Sequence, residues 1–219
     1  MALGTDYELQ DCALARALEV VGERWSLLIV RDAFYGVQRF NDFLAHLGIP
    51  RAVLTARLNA LVGAGVLRKE PYQQAPLRHG YLLTGAGLEL WGPLYQLSRW
   101  GGRHATPGGP HHLFAHVPCG TDLDFVGACP ACGGGPVSPT EVAMRPNPAR
   151  TDDHHREDPV SRALVRPHLL LEPIASAPRD ATPSGGGQAD EAAGSSPTAS
   201  RVTGVEPRVR RRRPGSGVE

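Results

Sequence analysis

The stretch GIPRAVLTARLNALVGAGVLRKEPY, residues 48–72, combines the signals for a tight turn, a helix and a strand. Its proline suits the first turn of a helix, where the missing N–H has no partner to lose. Gly-Ala-Gly favours a helix end, and VLRKEPY predicts a short basic strand. The helix is predicted to bury one apolar face and to expose arginines on the other. The residues with helical spacing on the apolar face are Val53 or Leu54, then Leu58, Leu61 and Val62.

Three more helices are predicted before this stretch, in CALARALEVVG, ERWSLLIVRDAFYG and RFNDFLAHLGI. Each has apolar residues at helical spacing and a glycine near its end. In the third, Gly48 suits the C-terminal position. The apolar face of that helix consists of Phe40, Phe43, Leu44 and Leu47. Because two helices joined by a tight glycine-containing turn form a helix-turn-helix, the third and fourth helices predict one.

The segments VLRKEPY and HGYLLT are predicted strands, and the proline in QQAPLR between them favours a loop. A β-hairpin directly after a helix-turn-helix is a wing. The segment TGAGLELWGPLYQLSRWGGRH then predicts a final helix that begins at Thr84, in which Pro93 causes either a bend or a delayed start. The predicted fold is mostly α with a small β-wing, an α+β winged helix-turn-helix.

Polar and basic residues on the fourth helix and the hairpin predict a DNA-binding surface. Side chains near the N-terminal end of a recognition helix contact base edges in the major groove. Residues 36–80 contain six basic and two acidic residues, a local charge of +4 that suits a polyanion. The predicted contacts are Arg51, Ala52, Thr55 and Arg57 on the helix, with Arg39, Gln73, Gln74 and Arg78 outside it. The alternative is that these side chains only solvate an exposed surface.

This order of elements resembles the HxlR family of bacterial winged helix-turn-helix regulators. The landmarks are an opening cysteine, VVGERWSLLIVRDAFYGVQRFNDF, LTARLNALVGAGVLRK, the wing APLRHGYLLTGAGLEL, and LSRW. The resemblance covers residues 12–104. It departs from the family at Pro50, where such proteins often have serine, and in a much longer tail. It implies a transcription factor, more often a repressor than an activator, that binds double-stranded DNA as a homodimer.

The resemblance implies that the homodimer forms through the first and last helices of the winged domain. The last helix has apolar side chains on more than one face. One small domain cannot cover all of them, so an exposed apolar surface is expected to bind a partner. These are Trp91, Leu94, Tyr95, Leu97 and Trp100; the alternative is that they pack only on their own core. Cys12 begins the first helix, where some family members have a cysteine that senses oxidants or electrophiles. A small buried residue at the dimer contact is the alternative.

A second motif, HVPCGTDLDFVGACPACGGG, lies within a predicted knuckle at residues 111–138. Its candidate metal ligands form two pairs, each with two residues between the members: His116 and Cys119, Cys129 and Cys132. Four such ligands satisfy tetrahedral zinc and leave no open position, so the motif predicts a structural site without hydrolytic chemistry. His111 and His112 are also available as the fourth ligand. The alternative to a metal site is a set of free thiols.

Residues 144–219 have no aromatic side chain and are rich in proline, glycine and arginine. Such a composition buries too little surface to offset the entropy of ordering, so a disordered tail is predicted. The RVRRRR run near its end favours either nonspecific attraction to phosphate or a solvated charge run. Elsewhere, no stretch has the roughly 18 uninterrupted apolar residues of a membrane span, and the N-terminus lacks a signal pattern. A cytoplasmic protein without membrane contact is expected.

The predicted ordered region has no glycine-rich phosphate loop, no nucleophile-elbow pattern and no carboxylate pair beside a histidine. An enzyme is therefore not expected. The remaining alternative to a DNA-binding regulator is a protein-interaction adaptor, in which a degenerate winged domain has lost DNA binding and the knuckle recruits a partner. The sequence also permits a response of the regulator to redox state or to a small effector.

Overall fold

A computed structural model describes Tyr7, residues 9–150 and residues 156–174. The helices are α1 (Ala13–Val21), α2 (Ser26–Phe34), α3 (Phe40–Leu47), α4 (Arg51–Gly63), α5 (Gly85–Glu89), α6 (Trp91–His104) and α7 (Pro159–Leu164). The strands are β1 (Leu67–Gln74), β2 (Leu77–Leu83), β3 (His112–His116), β4 (Val142–Pro146) and β5 (His168–Leu169). A 3-10 helix, Pro139–Glu141, precedes β4. The segment from α1 to α6 has the predicted order of a winged helix-turn-helix, which confirms the α+β class.

The turn between α3 and α4 depends on a glycine and a buried isoleucine. Gly48 ends α3 with φ of 62°, a left-handed conformation that costs glycine little, and its N–H donates to the Leu44 carbonyl at 3.1 Å. Ile49 is buried in the core, and Pro50 immediately precedes α4. These residues set the orientation of α4 relative to α3, which defines a helix-turn-helix.

The inward face of α4 consists of leucines. Leu54, Leu58 and Leu61 are fully buried, whereas Val53 is exposed. The structure thus settles in favour of Leu54 the choice that helical spacing left open. Because three leucines hold this helix against the core, its opposite face is presented to solvent.

The β1–β2 hairpin forms the predicted wing. Its antiparallel register runs from the Leu67–Leu83 pair to the Gln74–Leu77 pair beside the tip, with a bulge on β1 before Gln73. The wing is attached near the start of α3, because the Tyr81 N–H donates to the Gln38 carbonyl at 2.8 Å.

The predicted last helix is divided into α5 and α6. Thr84 caps α5 as predicted, since its hydroxyl oxygen accepts from the Gly87 N–H at 3.1 Å. A Cβ at position 87 would overlap the Val66 carbonyl oxygen, so only glycine permits α5 to pack this closely. Leu90 separates the two helices, and Pro93 lies in the first turn of α6, where its missing N–H is tolerated. Of the two predicted alternatives, the delayed start is the one found.

Aromatic rings join α6 to both the winged core and the C-terminal strands. Trp91 lies 5.4 Å between ring centroids from Phe34 of α2 and 5.4 Å from Tyr95. Tyr95 in turn lies 5.6 Å from Phe114 of β3. Trp91, Leu94 and Tyr95 are all buried. The part of α6 that packs on its own chain is therefore the half that carries Trp91, Leu94 and Tyr95.

Strands β3, β4 and β5 form an antiparallel sheet in that order. Phe114 pairs with Met144, and Met144 with His168. The side chains of Val142, Met144 and Val160 are fully buried in the same core as the helix-turn-helix. The prediction of disorder from residue 144 onward is therefore wrong for residues 144–150 and 156–174. A few aliphatic residues are enough to order these segments, because they pack on the core of the winged domain and do not have to form a core of their own.

The segment 156–174 is attached to the loop between α2 and α3. Backbone N–H groups of Leu171 and Ile174 donate to the carbonyls of Phe34 at 2.7 Å and Gly36 at 3.1 Å. A Cβ at Gly36 would overlap the Glu172 carbonyl oxygen, so this approach requires glycine. The rest of the predicted tail, residues 151–155 and 175–219 with its RVRRRR run, lies outside the described residues.

The predicted knuckle is continuous with the winged core. Leu123 and Cys129 are buried in the shared hydrophobic cluster. The Tyr95 hydroxyl on α6 donates to the Asp124 carbonyl at 2.8 Å, and the Arg103 guanidinium lies 4.7 Å from the Phe125 ring centroid. All the described residues belong to one compact unit. The knuckle and the end of α6 are therefore held in fixed relation.

Candidate nucleic-acid interface and metal cluster

The exposed N-terminal half of α4 carries three of the predicted DNA contacts. Arg51, Ala52 and Thr55 are all solvent-exposed, opposite the buried leucines. The Thr55 hydroxyl donates to the Arg51 carbonyl at 2.9 Å, which orients the hydroxyl back along the helix. The Arg51 guanidinium lies 5.1 Å from the Phe40 ring centroid of α3. This face therefore combines a cation, a hydroxyl and a small residue that allows close approach.

Arg57 is the predicted contact whose surroundings differ most from expectation. Its side chain is only 27% exposed and lies 3.5 Å from the Glu23 carboxylate in the turn between α1 and α2. The ion pair holds the guanidinium toward this turn. Arg57 therefore joins α4 to the α1–α2 turn in the described chain.

Arg39 precedes α3 and faces the wing. Its guanidinium lies 4.9 Å from the ring centroid of Tyr72 on β1, and its backbone forms a bridge to Gly80 on β2. Tyr72 is an exposed aromatic residue in a polar strand, a signal in the sequence that was not assigned a role. The structure thus places Arg39 and Tyr72 together, between the helix-turn-helix and the wing.

The other predicted contacts lie at the tip of the wing. Gln74 and Arg78 are exposed, while Gln73 is half-buried and its amide donates to the Ala75 carbonyl at 3.0 Å. Lys69, nearer the base, was not predicted as a contact. Its ammonium donates to the Asn59 side chain of α4 at 3.0 Å, which brings a wing cation beside α4.

The predicted metal ligands converge at one point. Their ligand atoms, from His116, Cys119, Cys129 and Cys132, all lie within 4.8 Å of one another. The His116 Nδ1 atom lies 3.4 Å from Cys119 Sγ and 3.4 Å from Cys132 Sγ, and the Cys119 and Cys129 sulfurs are 3.4 Å apart. This His/Cys cluster could bind a metal ion, and it includes His116 rather than His111 or His112.

Two similar turns position the four ligands. The Gly120 N–H donates to the His116 carbonyl at 2.7 Å, and the Gly133 N–H donates to the Cys129 carbonyl at 3.0 Å. Both glycines have positive φ, 71° and 70°, a conformation that costs glycine little. Each ligand pair thus spans one tight turn, and the two turns face each other.

The thiols of the cluster differ in acidity. Hydrogen bonds with Thr121 lower the pKa of the Cys119 thiol to about 6. Hydrogen bonds with Cys119 and Cys129 raise the pKa of the Cys132 thiol to about 11. One sulfur is thus ready to bind a cation as a thiolate, and a second thiolate beside it is favourable only when a cation compensates the added negative charge.

Apolar side chains remain exposed on both helices predicted to form a dimer. Leu97 and Trp100 of α6 are 51% and 53% exposed, and Leu14 of α1 is 65% exposed. Cys12 immediately precedes α1 and is also exposed. Within one chain, therefore, each helix buries some of its apolar residues and leaves others exposed.

Comparison with known proteins supplies the family. A family model described as HxlR-like helix-turn-helix matches residues 20–108. The chain is also 42% identical to Rv3095 of Mycobacterium tuberculosis, an uncharacterized HTH-type transcriptional regulator. The aligned region of 137 residues covers 62% of this chain and 86% of Rv3095. The chain belongs to the HxlR-like helix-turn-helix family. A second HTH-type regulator, YdeP of Bacillus subtilis, is 30% identical over 106 residues, 47% of this chain and 83% of that protein.

Among solved structures, the HxlR-like chain is similar to PA1607, described as a candidate transcription factor. The similarity has a TM-score of 0.50 with 32% identity, and it covers 60% of this chain and 92% of PA1607. Rv3095 and YdeP are both described as HTH-type transcriptional regulators. This HxlR-like protein is accordingly a transcriptional regulator of the helix-turn-helix type. No described helix has both the length and the apolar character that a membrane crossing requires.

Proposed function

We propose that the protein is a dimeric, sequence-specific DNA-binding repressor in which α4 is the recognition helix. The observation that carries the proposal is the exposed face of α4, with Arg51, Ala52 and Thr55 opposite a fully buried leucine face. A helix held in this way enters the major groove with its N-terminal residues toward the bases. Arginine there suits guanine, whose O6 and N7 it contacts with two hydrogen bonds.

The other predicted contacts are proposed to meet the DNA backbone. Arg39 lies at the junction of α3 and the wing, and Gln73, Gln74 and Arg78 lie at the wing tip. Arg57 is proposed as a phosphate contact that exchanges its Glu23 partner for DNA. Contacts to phosphate fix the position of a protein on the duplex and carry no sequence information.

The dimer is proposed to form through α1 and α6, because both helices leave apolar side chains uncovered. Leu14 on α1 and Leu97 and Trp100 on α6 supply that surface. A two-fold contact would place two copies of α4 in successive major grooves, about 34 Å apart. Cys12 precedes α1 and is proposed as an oxidant-sensitive thiol next to this contact.

The salt dependence of DNA binding tests the DNA-binding proposal. Each neutralised phosphate releases counterions, so the logarithm of the association constant should fall with log salt at a slope of about −4 or steeper. The measurement is fluorescence anisotropy of labelled DNA from 50 to 300 mM salt, on the order of the physiological range. An adaptor with a degenerate winged domain would hardly bind at any salt, and that result would overturn the proposal.

We also propose that the His/Cys cluster holds one structural zinc ion per chain. Three thiolates and one imidazole are a common tetrahedral zinc set, and the two facing turns already bring the four ligand atoms within 4.8 Å. The negative charge that accumulates when the thiols ionise favours a divalent cation. With four protein ligands no position remains for a reactive water, which makes the role structural.

Elemental analysis of protein purified without chelator tests the zinc site. About one zinc per chain is expected for the wild type and for Cys12→Ser, because Cys12 is not part of the cluster. The Cys129→Ser variant should contain none. Zinc retained in Cys129→Ser, or no metal in the wild type, would contradict the assignment.

A further inference from the structure

The face of α4 directly opposite its buried leucines has one polar side chain. Residues that follow one another at intervals of three or four share a face of a helix, because one turn takes about 3.6 residues. On α4 such a stripe consists of Ala52, Ala56, Asn59 and Gly63, all of them solvent-exposed. Within this stripe, only Asn59 has side-chain atoms that can form hydrogen bonds.

The small neighbours of Asn59 suit its short side chain. An asparagine amide is attached through a single methylene group, so it contacts a base edge only when the helix backbone lies deep in the groove. Two alanines and a glycine in the same stripe do not obstruct such an approach. The major groove of B-DNA, about 12 Å wide, admits an α-helix. The longer Arg51 lies at the border of this stripe, against the Phe40 ring.

A lysine of the wing determines how the Asn59 amide is oriented. The Lys69 ammonium of β1 donates to Asn59 Oδ1 at 3.0 Å, and Lys69 Nζ also lies 5.9 Å from the Tyr81 ring centroid. Because an ammonium group can only donate, the amide atom that faces it is the carbonyl oxygen and not the nitrogen. In the described part of the chain, Asn59 Nδ2 has no acceptor. The oxygen retains a second lone pair, so the amide presents one donor and one acceptor.

We propose that Asn59 recognises an adenine in the major groove and that Lys69 is the positioning residue that orients its amide. The inference rests on the proposed role of α4 as the recognition helix. Adenine presents an acceptor, N7, beside a donor, the N6 amino group, and an amide binds both at once. Guanine presents two acceptors at this edge, and thymine presents one acceptor and a methyl group. The oriented amide of Asn59 therefore matches adenine and neither of these bases.

Asn59 and Arg51 contact different base pairs. They are eight residues apart on one helix, which corresponds to about 12 Å along the helix axis. Successive base pairs are about 3.4 Å apart, so the two side chains reach positions up to about three base pairs apart. The half-site is thus expected to contain a guanine bound by Arg51 and, at a separate position, an adenine bound by Asn59.

A purely structural role of Asn59 would have different consequences. If its hydrogen bond with Lys69 served only to attach the wing to α4, loss of the amide would loosen the wing and weaken binding to all DNA sequences alike. Loss of a base contact instead removes the preference at one position of the site and leaves the other positions unchanged. Asn59→Ala suits this test, because alanine is a good helix former and the position is exposed.

Selection of bound duplexes from a random-sequence library, with the full chain, tests the base contact. The wild type is expected to enrich a half-site in which adenine is preferred about tenfold over guanine at one position. Asn59→Ala should enrich the same half-site without that preference, and Asn59→Gln should retain it, since a glutamine amide also binds adenine. The control Gln96→Ala removes an exposed amide from α6 and should select like the wild type. An adenine preference that persists in Asn59→Ala would overturn the proposal.

Replacement of that adenine by 7-deazaadenine tests the same contact at the level of one atom. The analogue lacks N7 and keeps the N6 amino group and the base pair. Fluorescence anisotropy should show about fivefold or more weaker binding by the wild type, because one hydrogen bond is lost. Asn59→Ala, which has no amide to lose, should bind both duplexes equally. The same loss of affinity in the wild type and in Asn59→Ala would contradict a contact between Asn59 and N7.

Lys69→Met and Lys69→Arg test the positioning role. Methionine cannot donate to Asn59, so the preference for adenine over guanine should fall about threefold or more, whereas arginine, which can only donate, should preserve it. An unchanged preference in Lys69→Met would show that Lys69 does not orient the amide. If the wild type enriches no sequence, the DNA-binding proposal fails and the role of Asn59 fails with it. If the wild type enriches a site and Asn59→Ala shows the same base preferences, only the role of Asn59 is wrong.

Discussion

Arg51 is the residue with the clearest path to a base. It begins α4, is exposed, and is steadied by the Phe40 ring 5.1 Å away. Arg51→Ala is expected to weaken binding to a preferred DNA site by about 1 to 3 kcal/mol and to relax the preference at one position. The measurement is anisotropy at fixed salt, with Arg162→Ala on α7 as the control for loss of charge. Equal affinities of the two variants would refute a base contact by Arg51.

Arg57 should behave differently, although both arginines looked equivalent in the sequence. Its ion pair with Glu23, at 3.5 Å, holds the side chain against the α1–α2 turn. Arg57→Ala is therefore expected to weaken binding to all sequences alike and to reduce the salt slope by about one. A loss confined to one base position, seen with a panel of single-base variants of the DNA site, would show that Arg57 reads sequence.

His112 predicts a pH dependence of stability. Burial lowers its pKa to about 4 in the folded chain, against about 6.5 in the unfolded one. As pH falls below 6.5 the unfolded chain takes up the proton first, so the free energy of unfolding should fall until about pH 4. The loss should be on the order of 3 kcal/mol. Denaturant titrations from pH 7 to 4 should show this loss in the wild type and a smaller one in His112→Phe. Equal slopes would contradict the assignment.

On the scale of elements, α6 has two distinct halves. Trp91, Leu94 and Tyr95 are buried in the chain's own core, whereas Leu97 and Trp100 are exposed. Leu97→Glu should dissociate the dimer without unfolding the chain, because a carboxylate at an apolar contact costs on the order of 3 kcal/mol or more. Light scattering should give the mass of one chain for this variant and of two for the control Gln96→Glu. A folded Leu97→Glu protein that remains dimeric would rule out α6 as the contact.

Local signals explain which elements could be predicted. Helices α1 to α4 have apolar residues at helical spacing and glycines at or near their ends, so their order and approximate bounds follow from sequence. Strands β3 and β4 have five residues each and pair Phe114 with Met144, thirty positions apart. No short turn joins the two strands, so no local sequence signal indicates that they pair. Their pairing depends on the hydrophobic core to which both contribute. Helix α7 and strand β5 could not be predicted for the same reason.

In the metal cluster, too, the spacing of the ligands could be read from the sequence, whereas their packing against the core could not. The equal spacing of two ligand pairs predicts Cys119, Cys129 and Cys132 and favours His116 while His111 and His112 remain alternatives, and the structure brings His116 and the three cysteines together. The spacing did not reveal that Cys129 is buried in the main core or that α6 holds the knuckle through Tyr95. Contacts between segments, which no local pattern encodes, make the knuckle part of the winged unit.

For the whole molecule, metal removal should therefore affect more than the knuckle at residues 111–138. Because Cys129 and Leu123 lie in the shared core, chelation is expected to lower the melting temperature of the entire unit and to weaken dimerisation through α6. Hydrogen exchange should show lost protection in α6 as well as in the knuckle. Cys129→Ser should reproduce the effect and Cys12→Ser should not. Loss of protection confined to the knuckle would mean that it folds independently.

We propose that a dimer of this chain recognises DNA through two copies of α4. Selecting genomic fragments bound by the purified protein, then footprinting the enriched fragment, tests it most directly. The predicted result is one protected segment with two related half-sites about 10 base pairs apart, centre to centre, protected more weakly by Arg51→Ala at the same protein concentration. Enrichment of no fragment over unselected DNA, or equal enrichment by Arg51→Ala, would contradict the claim.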